Sequence, residues 1–363
     1  MNLNFYTYKF LYKNPFKSAK DIFTHRRGFI LTLQKNGITA LGEAAPLAGF
    51  SSETTDEVEQ QLRKKYADIA SFFDHSFTLS GLMDFAARLS LLPSIQFGLF
   101  TMGAAFLAQK EQKSLHQYIF IDAPNRIPIN AVIDLNTQDV LKKIQEYTSI
   151  GYETIKLKAG CKAKRLITKL EKIRHNYPDL NIRIDANQSW SVDEAKNIFD
   201  QIEPLTIEYC EEPLAEPNRQ SLNALRNYSS IPIALDESLA SNFELTEAAQ
   251  LADVLIIKPM VLGCQKAIKQ LEEIAQERNP KIVFTSSLES GIGRLMTASL
   301  AGGLGSNIAH GLGTGPLLAE DVWRDDQFSS DGNYHLPDGE KLTELMNAKL
   351  ESRHIQEIEI YHE

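Results

Sequence analysis

From Ile127 onwards, the sequence repeats a short apolar run followed by a segment long enough for a helix. Eight runs follow this pattern: IPINAVI, YETIKLK, LNIRIDA, LTIEYCEEP, IPIALDES, ADVLIIKP, KIVFTSS and NIAHGLG. Their spacing of about 20 to 30 residues is the size of one strand–helix unit in a parallel barrel. The sequence therefore predicts an α/β fold of alternating strands and helices, either a closed (β/α) barrel or an open doubly wound sheet.

The polar residues at the ends of these runs favour the barrel. An open sheet would concentrate such residues at one switch point, whereas all strands of a barrel end at one mouth. In chain order the ends carry Lys156 and Lys158, Asp185 and Asn187, Glu211 and Glu212, Asp236 and Glu237, Lys258, and finally Ser286 and Ser287. Three consecutive strands that each deliver a carboxylate are typical of a hard-cation site such as a Mg²⁺ site.

Some of these ends have simpler interpretations when each is taken alone. Side chains alternate across a strand, so Lys156 and Lys158 share one face, and a solvated face is the usual reason for such a pair. A single acid at a strand end usually caps the next helix, as we interpret Glu237, and we assign Glu212 to a supporting or loop position. The order Lys, Asp, Glu, Asp, Lys on five successive strands is not explained by such separate roles and favours one shared site.

The N-terminal third of the chain has a different pattern, because strands precede helices as in a small α+β unit. Leu3–Leu11 and Arg27–Lys35 alternate like strands, and Asn36-Gly37 predicts a hairpin to a third strand. Helical spacing follows, with an N-cap predicted at Thr54 or Thr55 and an interruption at Pro93.

Composition restricts the kinds of partner. The chain has 363 residues and a formal net charge of −9, which argues against nucleic acid or an anionic membrane as the main partner. The three cysteines, Cys161, Cys210 and Cys264, lack the short spacings of a disulfide framework or a zinc motif, in keeping with a reducing compartment. The sequence has no apolar segment of signal-peptide or membrane-spanning type. We expect a cytoplasmic protein with a small-molecule partner, and a homo-oligomer is compatible with the sequence.

These motifs together resemble those of the enolase superfamily, in its muconate-lactonising subgroup. GEAAPL at 42–47 is similar to the end of that family's capping-domain hairpin, and KLK, DAN, EEP, DES and IKP follow in family order. The resemblance covers nearly the whole chain and implies a modified TIM-type (β/α) barrel with an α+β capping domain. It assigns Mg²⁺, which Mn²⁺ could replace, to Asp185, Glu211 and Asp236. It also places Lys158 and Lys258 on opposite sides of a carboxylate substrate.

The chemistry of such a site follows from the residue types. Removal of a proton next to a carboxylate leaves a dianionic enediolate, which a divalent cation can stabilise. Lysine is a poor base at neutral pH, because its ordinary pKa is about 10.4. Lys156 and the metal would both lower the pKa of Lys158, so we include Lys156 with Lys158 and Lys258 among the catalytic residues.

Within the subgroup, the segments FTSSLESGIG at 284–293 and AHGLGTGPLLAEDV at 309–322 resemble those of the o-succinylbenzoate synthases. The resemblance implies a magnesium-dependent syn dehydration of 2-succinyl-6-hydroxy-2,4-cyclohexadiene-1-carboxylate in menaquinone biosynthesis. Substrate binding is then expected from residues at the same mouth: Asn187, Gly263, Ser286 and Ser287.

Other functions remain open at this point. Dipeptide epimerases usually hold the substrate ammonium with Asp-x-Asp at the eighth strand, and Ala309–Gly313 contains no acid. An N-acylamino-acid racemase would use both lysines and needs no such acid. A non-catalytic ligand-binding barrel would not need two lysines together with three carboxylates.

The resemblance also divides the chain. We expect a capping domain over residues 1–125, a catalytic barrel over 126–320, and a C-terminal segment over 321–363 that returns to the capping domain. The polar stretch Asn14–Arg27 is our candidate for a lid loop over the site.

Overall fold

The computed structural model describes residues 1–17, 22–159, 163–277, 280–324, 328–350 and 354–359. Within these residues an antiparallel sheet with its helices precedes a parallel barrel. The elements of the first part are β1 (Asn2–Lys17), β2 (Ile22–Lys35), β3 (Ile38–Ala44), α1 (Thr55–Asp74), α2 (Leu79–Arg88), α3 (Pro93–Lys110) and α4 (Leu115–Ile119). No described helix combines the length and apolar character needed to cross a membrane.

Local signals in the sequence define several of these elements. Asn36 and Gly37 both have positive φ, 53° and 78°, as a two-residue type I′ turn requires, and the predicted hairpin between β2 and β3 is confirmed. Thr54 forms a capping box with Glu57 and begins α1. Pro93 lies at the start of α3, where its missing N–H costs nothing.

Helix α3 is buried on nearly all sides because it lies between β3 and the barrel. Gly42 and Gly98 allow β3 and α3 to approach closely, since a Cβ on Gly42 would lie 2.0 Å from the Gly98 carbonyl oxygen. On its other side, α3 contacts the short helix α11 (Pro259–Leu262) of the barrel. The antiparallel unit therefore packs directly against the barrel end that carries the polar strand ends.

The barrel alternates strands and helices, as the repeat predicts. Its elements are β4 (Arg126–Pro128), β5 (Ala131–Asp134), α5 (Val140–Thr148), β6 (Thr154–Lys158), α6 (Ala163–Asn176), β7 (Asn181–Asp185), α7 (Val192–Ile202), β8 (Ile207–Glu211), α8 (Arg219–Arg226), β9 (Ile233–Leu235), α9 (Glu237–Ser241), α10 (Leu245–Leu251), β10 (Val254–Ile257), α11 (Pro259–Leu262), α12 (Cys264–Glu277), β11 (Lys281–Phe284) and α13 (Gly291–Leu304). Seven of the described strands form one parallel sheet in the order β11-β10-β9-β8-β7-β6-β5.

The eighth predicted strand, NIAHGLG, is reduced to two bridges that close the barrel. His310 pairs with Ile129, and Gly311 pairs with Thr285, both in parallel. Asn130 N–H donates to the His310 carbonyl at 3.0 Å, and Ser286 N–H donates to the Gly311 carbonyl at 3.1 Å. The prediction of a regular strand here is wrong, because this segment needs only two residues to join the sheet edges.

Inward-facing side chains fill the lower part of the barrel. Tyr209, Ala234, Val254, Ile256 and Val283 form one buried cluster, and the Arg183 guanidinium lies 4.7 Å from the centroid of the Tyr209 ring. The interior is therefore packed beneath the polar strand ends, as expected for a closed barrel rather than an open sheet.

The C-terminal segment contacts both parts of the molecule. It contains β12 (Ser329–Ser330), β13 (Asn333–His335), α14 (Gly339–Met346) and β14 (Ile355–Glu357). Strand β13 pairs with β4 at the start of the barrel, whereas β14 pairs with β1 of the antiparallel sheet. The stretch around Tyr334 thus lies on the barrel, and only the later strand returns to the first sheet.

Candidate active site at the mouth of the barrel

Strand register brings the predicted acidic and basic side chains to one mouth. Lys158, Asp185 and Glu211 are neighbours in register on β6, β7 and β8. Asp236 and Lys258 directly follow β9 and β10. Because parallel neighbours in register point to the same face, these side chains converge at the carboxyl ends of the strands.

Lys156 lies between two of the carboxylates. Its Nζ is 2.7 Å from Glu211 Oε1 and 3.1 Å from Asp185 Oδ2, with 16% of the side chain exposed. Burial alone would lower the pKa of Lys156, but Asp185, Glu211 and Asp236 raise it well above its ordinary value. Lys156 is therefore a charged, paired lysine, which suits a role in holding the carboxylates rather than in proton transfer.

The two carboxylates differ in their electrostatic surroundings. The ammonium groups of Lys156 and Lys158 outweigh the effect of burial on Asp185 and lower its pKa. Burial raises the pKa of Glu211 to about 8, and the charges of Asp185 and Asp236 act in the same direction, against Lys156. An additional cation beside Glu211 would stabilise its ionised form.

The donor set at this place fits a magnesium ion. Glu211 Oε2 is buried with no hydrogen-bond partner among the described residues, and a buried oxygen of this kind requires a donor or a cation. Carboxylates from three strands are the ligands that Mg²⁺ prefers. Among the described residues, no group of three Asp, Glu, His or Cys side chains is arranged so that it could hold a metal ion. Instead, lysine ammonium groups lie against the carboxylates.

Lys258 lies at the far side of the mouth from Lys158, with β7, β8 and β9 between their strands. Its ammonium group forms an ion pair with Asp236. It also lies 4.5 Å from the centroid of the Phe50 ring, in the loop that follows β3. This cation–π contact brings a residue of the capping domain directly to the site.

Lys158 differs from the other two lysines. It is half-buried, and it interacts with Asp185 through its charge. Within the described ranges, its ammonium group forms neither a hydrogen bond nor an ion pair, whereas Lys156 and Lys258 are both paired. Of the three lysines, Lys158 is therefore the one whose ammonium group is not held by a carboxylate among the described residues.

Glu212 supports the turn that carries Asp236. Its Oε1 accepts hydrogen bonds from Asp236 N–H at 2.7 Å and Ser238 N–H at 2.8 Å, and its Oε2 accepts from the Ser238 hydroxyl at 2.7 Å and from Gln188 Nε2 at 3.1 Å. The side chain is fully buried. The supporting role predicted for Glu212 agrees with these contacts.

The loops after β7 and β8 have unusual backbone conformations. Asn187, Gln188 and Glu212 have φ values of 45°, 56° and 43°. These values lie in the left-handed region, which residues other than glycine rarely adopt. Such strain concentrates at functional sites. Asn187 Nδ2 donates to Glu237 Oε1 at 3.0 Å, and burial raises the pKa of Glu237 to about 7. Glu237 forms no N-cap bond in α9, because Asp236 is the N-cap residue there.

The predicted substrate-binding residues beyond β10 differ in whether their polar groups already form hydrogen bonds. Ser286 and Ser287 are both buried at the end of β11, and the Ser286 hydroxyl bonds to Thr314. The Ser287 hydroxyl has no partner among the described residues. Gly263 N–H donates to the Pro259 carbonyl at 2.9 Å. Because this N–H already has an acceptor, the contact does not support the prediction that Gly263 binds substrate.

His310 and the described cysteines have structural roles, and the described parts of the candidate lid belong to two strands. His310 is buried, its Nδ1 accepts from Phe284 N–H at 2.9 Å, and burial with Arg183 lowers its pKa to about 3, so it is a neutral packing residue. Cys210 and Cys264 are buried, and Cys161 lies outside the described residues. The candidate lid Asn14–Arg27 is not a loop where it is described, because Asn14–Lys17 and Ile22–Arg27 continue β1 and β2.

Comparisons with known proteins agree with this architecture. A family model described as enolase C-terminal domain-like matches residues 139–340, and a second, described as MenC, N-terminal domain, matches residues 2–106. An L-amino acid-D/L-Glu epimerase of Sulfurimonas denitrificans is 25% identical over 327 residues, which cover 88% of this chain and 94% of that protein. An o-succinylbenzoate synthase of Yersinia pseudotuberculosis is 29% identical over 303 residues, which cover 82% of this chain and 85% of that protein.

A solved structure shows the same fold over the whole chain. The N-succinyl Arg/Lys racemase from Bacillus cereus is 17% identical, has a TM-score of 0.80, and the match covers 99% of this chain and 100% of that one. The enolase-like model alone spans more than half of the sequence. The protein therefore belongs to the enolase superfamily.

Proposed function

We propose that the protein is an o-succinylbenzoate synthase, a lyase that removes water from 2-succinyl-6-hydroxy-2,4-cyclohexadiene-1-carboxylate to form 2-succinylbenzoate. The observation that carries this proposal is that the three lysines differ in their partners. Lys158 is unpaired among the described residues, whereas Lys156 and Lys258 form ion pairs with carboxylates. A syn dehydration needs one base that takes a proton and returns it on the same face.

In this mechanism Lys158 takes the proton next to the substrate carboxylate. It then donates the proton to the leaving β-hydroxyl group, so that water departs as the ring becomes aromatic. Lys258 would lie against the face of the substrate ring as a cation, in the way that it now lies against the Phe50 ring. Lys156 keeps Asp185 and Glu211 in place.

Asp185, Glu211 and Asp236 would hold Mg²⁺, or Mn²⁺ in its place. The bound ion would supply positive charge beside the substrate carboxylate, where negative charge develops. Asn187 and the Ser287 hydroxyl, which has no partner among the described residues, are the proposed substrate contacts at the rim. The second carboxylate of the substrate would lie nearest the end of β11.

The relatives support both this reaction and a second one. The match to the MenC N-terminal domain and the synthase of Yersinia pseudotuberculosis favour dehydration. The epimerase of Sulfurimonas denitrificans is similar over more of the chain, and racemisation or epimerisation would use Lys158 and Lys258 on opposite faces. The absence of an acid in Ala309–Gly313 argues against a substrate with a free ammonium group, so an N-acylamino acid is the second candidate substrate. A place in menaquinone synthesis in the cytoplasm is part of the first proposal.

Turnover of the cyclohexadiene substrate beside a panel of N-acylamino acids and dipeptides tests the choice. We expect dehydration that depends on magnesium and stops when a chelator is added. The reaction is measured by absorbance. In Lys158→Ala the rate should fall by about 10²- to 10⁴-fold, because the general base is lost. Efficient epimerisation of dipeptides without any dehydration would refute the synthase. Proton exchange that persists at the wild-type rate in Lys158→Ala would refute Lys158 as the base.

A further inference from the structure

Glu43, in strand β3 of the capping domain, reaches across to the barrel. Its Oε1 accepts hydrogen bonds from Ser290 N–H at 2.9 Å and from the Tyr8 hydroxyl, and its Oε2 accepts from the Ser290 hydroxyl at 2.6 Å and from Gly293 N–H at 2.9 Å. The side chain is 0% exposed. One carboxylate of the capping domain therefore receives three hydrogen bonds from the barrel.

The barrel groups that contact Glu43 are the start of helix α13, of which Ser290 is the N-cap residue. The first N–H groups of a helix have no partners within the helix, and the helix dipole favours a negative charge there. Gly293 makes this approach possible, because a Cβ at this position would lie 2.9 Å from Glu43 Oε2. The capping domain thus supplies a second carboxylate at this helix start, where Asp321 Oδ1 already accepts from Gly291 N–H at 2.9 Å.

The segment that ends at this contact is the loop Ser286–Ser290, which joins β11 to α13. It carries the predicted substrate contacts Ser286 and Ser287, and Leu288 within it has a φ of 62°. Arg26 of β2 fixes the middle of the loop, since its Nε donates to the Leu288 carbonyl at 3.1 Å. Arg26 is anchored in turn on the Pro46 carbonyl at 2.8 Å. A left-handed leucine persists only where its surroundings hold it.

We propose that Glu43 is a positioning residue through which the docked capping domain holds the loop Ser286–Ser290 in the conformation that binds substrate. This inference rests on the proposed function in so far as that loop contacts the substrate. In this role Glu43 acts through its hydrogen bonds to Ser290 and not directly on the reacting atoms. The order of the loop then depends on the contact between the two domains, and substrate affinity should change when this contact is weakened.

The chain offers a matched control for Glu43. Glu53 is also a buried carboxylate, 4% exposed, and its Oε1 accepts from Ser94 N–H at 2.9 Å at the start of helix α3. Both ends of that contact lie within the capping domain. Glu43→Gln and Glu53→Gln therefore remove the same kind of charge from a helix start, but only the first connects the domains.

The experiment measures hydrogen exchange, kcat and KM on the full-length variants, using whichever reaction the wild-type protein catalyses. For Glu43→Gln we expect fast exchange at the amides of Ser290 and Gly293 and a rise in KM of about tenfold with little change in kcat, because uniform binding is lost. Glu53→Gln should leave exchange in this loop and KM unchanged. Equal KM values in the two variants, or a loop that stays protected in Glu43→Gln, would overturn the proposal.

A milder variant covers the case in which Glu43→Gln does not fold. Ser290→Ala removes the hydroxyl that donates to Glu43 and leaves the backbone intact, so we expect a smaller rise in KM in the same direction. Unchanged KM and unchanged protection in Ser290→Ala would count against the proposal. If the wild-type protein shows no dehydration, the proposed function fails, but exchange in the loop and the KM of the observed reaction still test Glu43.

Discussion

Glu289 offers a quantitative test of the buried contact region between the two domains. The side chain is 0% exposed, and it accepts hydrogen bonds from Ser287 N–H and from the Thr297 hydroxyl at 2.9 Å. Burial, reinforced by the charge of Glu43, raises the pKa of Glu289 from 4.5 to about 7. The folded protein therefore holds a proton on Glu289 at pH values where the unfolded chain has released it.

The sign and size of the effect follow from this shift. A raised carboxyl pKa favours the folded state at low pH, and this contribution is fully present below pH 4.5 and disappears as the pH rises through about 7. A shift from 4.5 to about 7 corresponds to about 3 kcal/mol in the free energy of unfolding, at about 1.4 kcal/mol for each pH unit. Stability from this group should thus fall by about 3 kcal/mol between pH 4.5 and pH 8.

Glu289→Gln imitates the protonated carboxyl group and should remove this dependence. The glutamine oxygen can accept from Ser287 N–H. Its NH₂ group can donate to the Thr297 hydroxyl, which itself donates to the Gly293 carbonyl at 3.0 Å. We therefore expect the variant to match the wild type within about 1 kcal/mol at pH 5. At pH 8 it should be more stable than the wild type by about 2 to 3 kcal/mol.

Urea unfolding of both proteins at several pH values between 5 and 8 measures the difference. Other buried carboxyl groups titrate in both proteins, so their contributions cancel when the two curves are subtracted. Glu272→Gln, on the exposed face of α12, is the control and should give a flat difference. A flat difference for Glu289→Gln as well, or a variant that is less stable than the wild type at pH 8, would refute the reasoning.

Three further predictions concern the mouth of the barrel. Glu212→Ala removes the acceptor for Asp236 N–H, and calorimetric titration should show magnesium binding weakened by about 10- to 100-fold without loss of the fold. Lys258→Arg keeps a cation but cannot act as a base, so dehydration should persist in part while any racemase activity, measured by deuterium exchange of a chiral N-acylamino acid, disappears. Dipeptides with a free amino terminus should be poor substrates for epimerisation in a coupled NMR assay, and efficient turnover would mean that the segment Ala309–Gly313 has been interpreted wrongly.

The fold was predictable where side-chain alternation and burial agree. β6 to β11 are apolar runs that end in polar residues, and register then brings Asp185 next to Glu211. The segment around His310 could not be assigned in this way, because two bridges close the barrel and no run of alternating residues is needed. The sequence of Asn14–Arg27 resembles a loop because polar and basic residues dominate it, although Asn14–Lys17 and Ile22–Arg27 belong to β1 and β2.

The partners of the polar groups were much harder to predict than their positions. Lys156 was expected to act on Lys158, but it is bound by Asp185 and Glu211. Ser290 and Glu43 are 247 positions apart in the sequence, and no local pattern links them. Phe50 reaches Lys258 only because α3 docks the first sheet on the barrel. The contacts of Glu43 and Phe50 depend on how the two domains meet, which periodicity does not encode.

The charge of the site also bears on which substrates suit it. When all six groups are ionised, the charges of Lys156, Lys158 and Lys258 equal in number those of the carboxylates Asp185, Glu211 and Asp236, so the set has no formal net charge. A divalent cation would add two positive charges at a place where burial makes uncompensated charge costly. A substrate with two carboxylates would restore the balance, and a zwitterionic dipeptide would not. Both the proposed cyclohexadiene substrate and an N-succinylamino acid meet this condition, which is why the decisive comparison is between dehydration and racemisation of dicarboxylates rather than between acids and dipeptides.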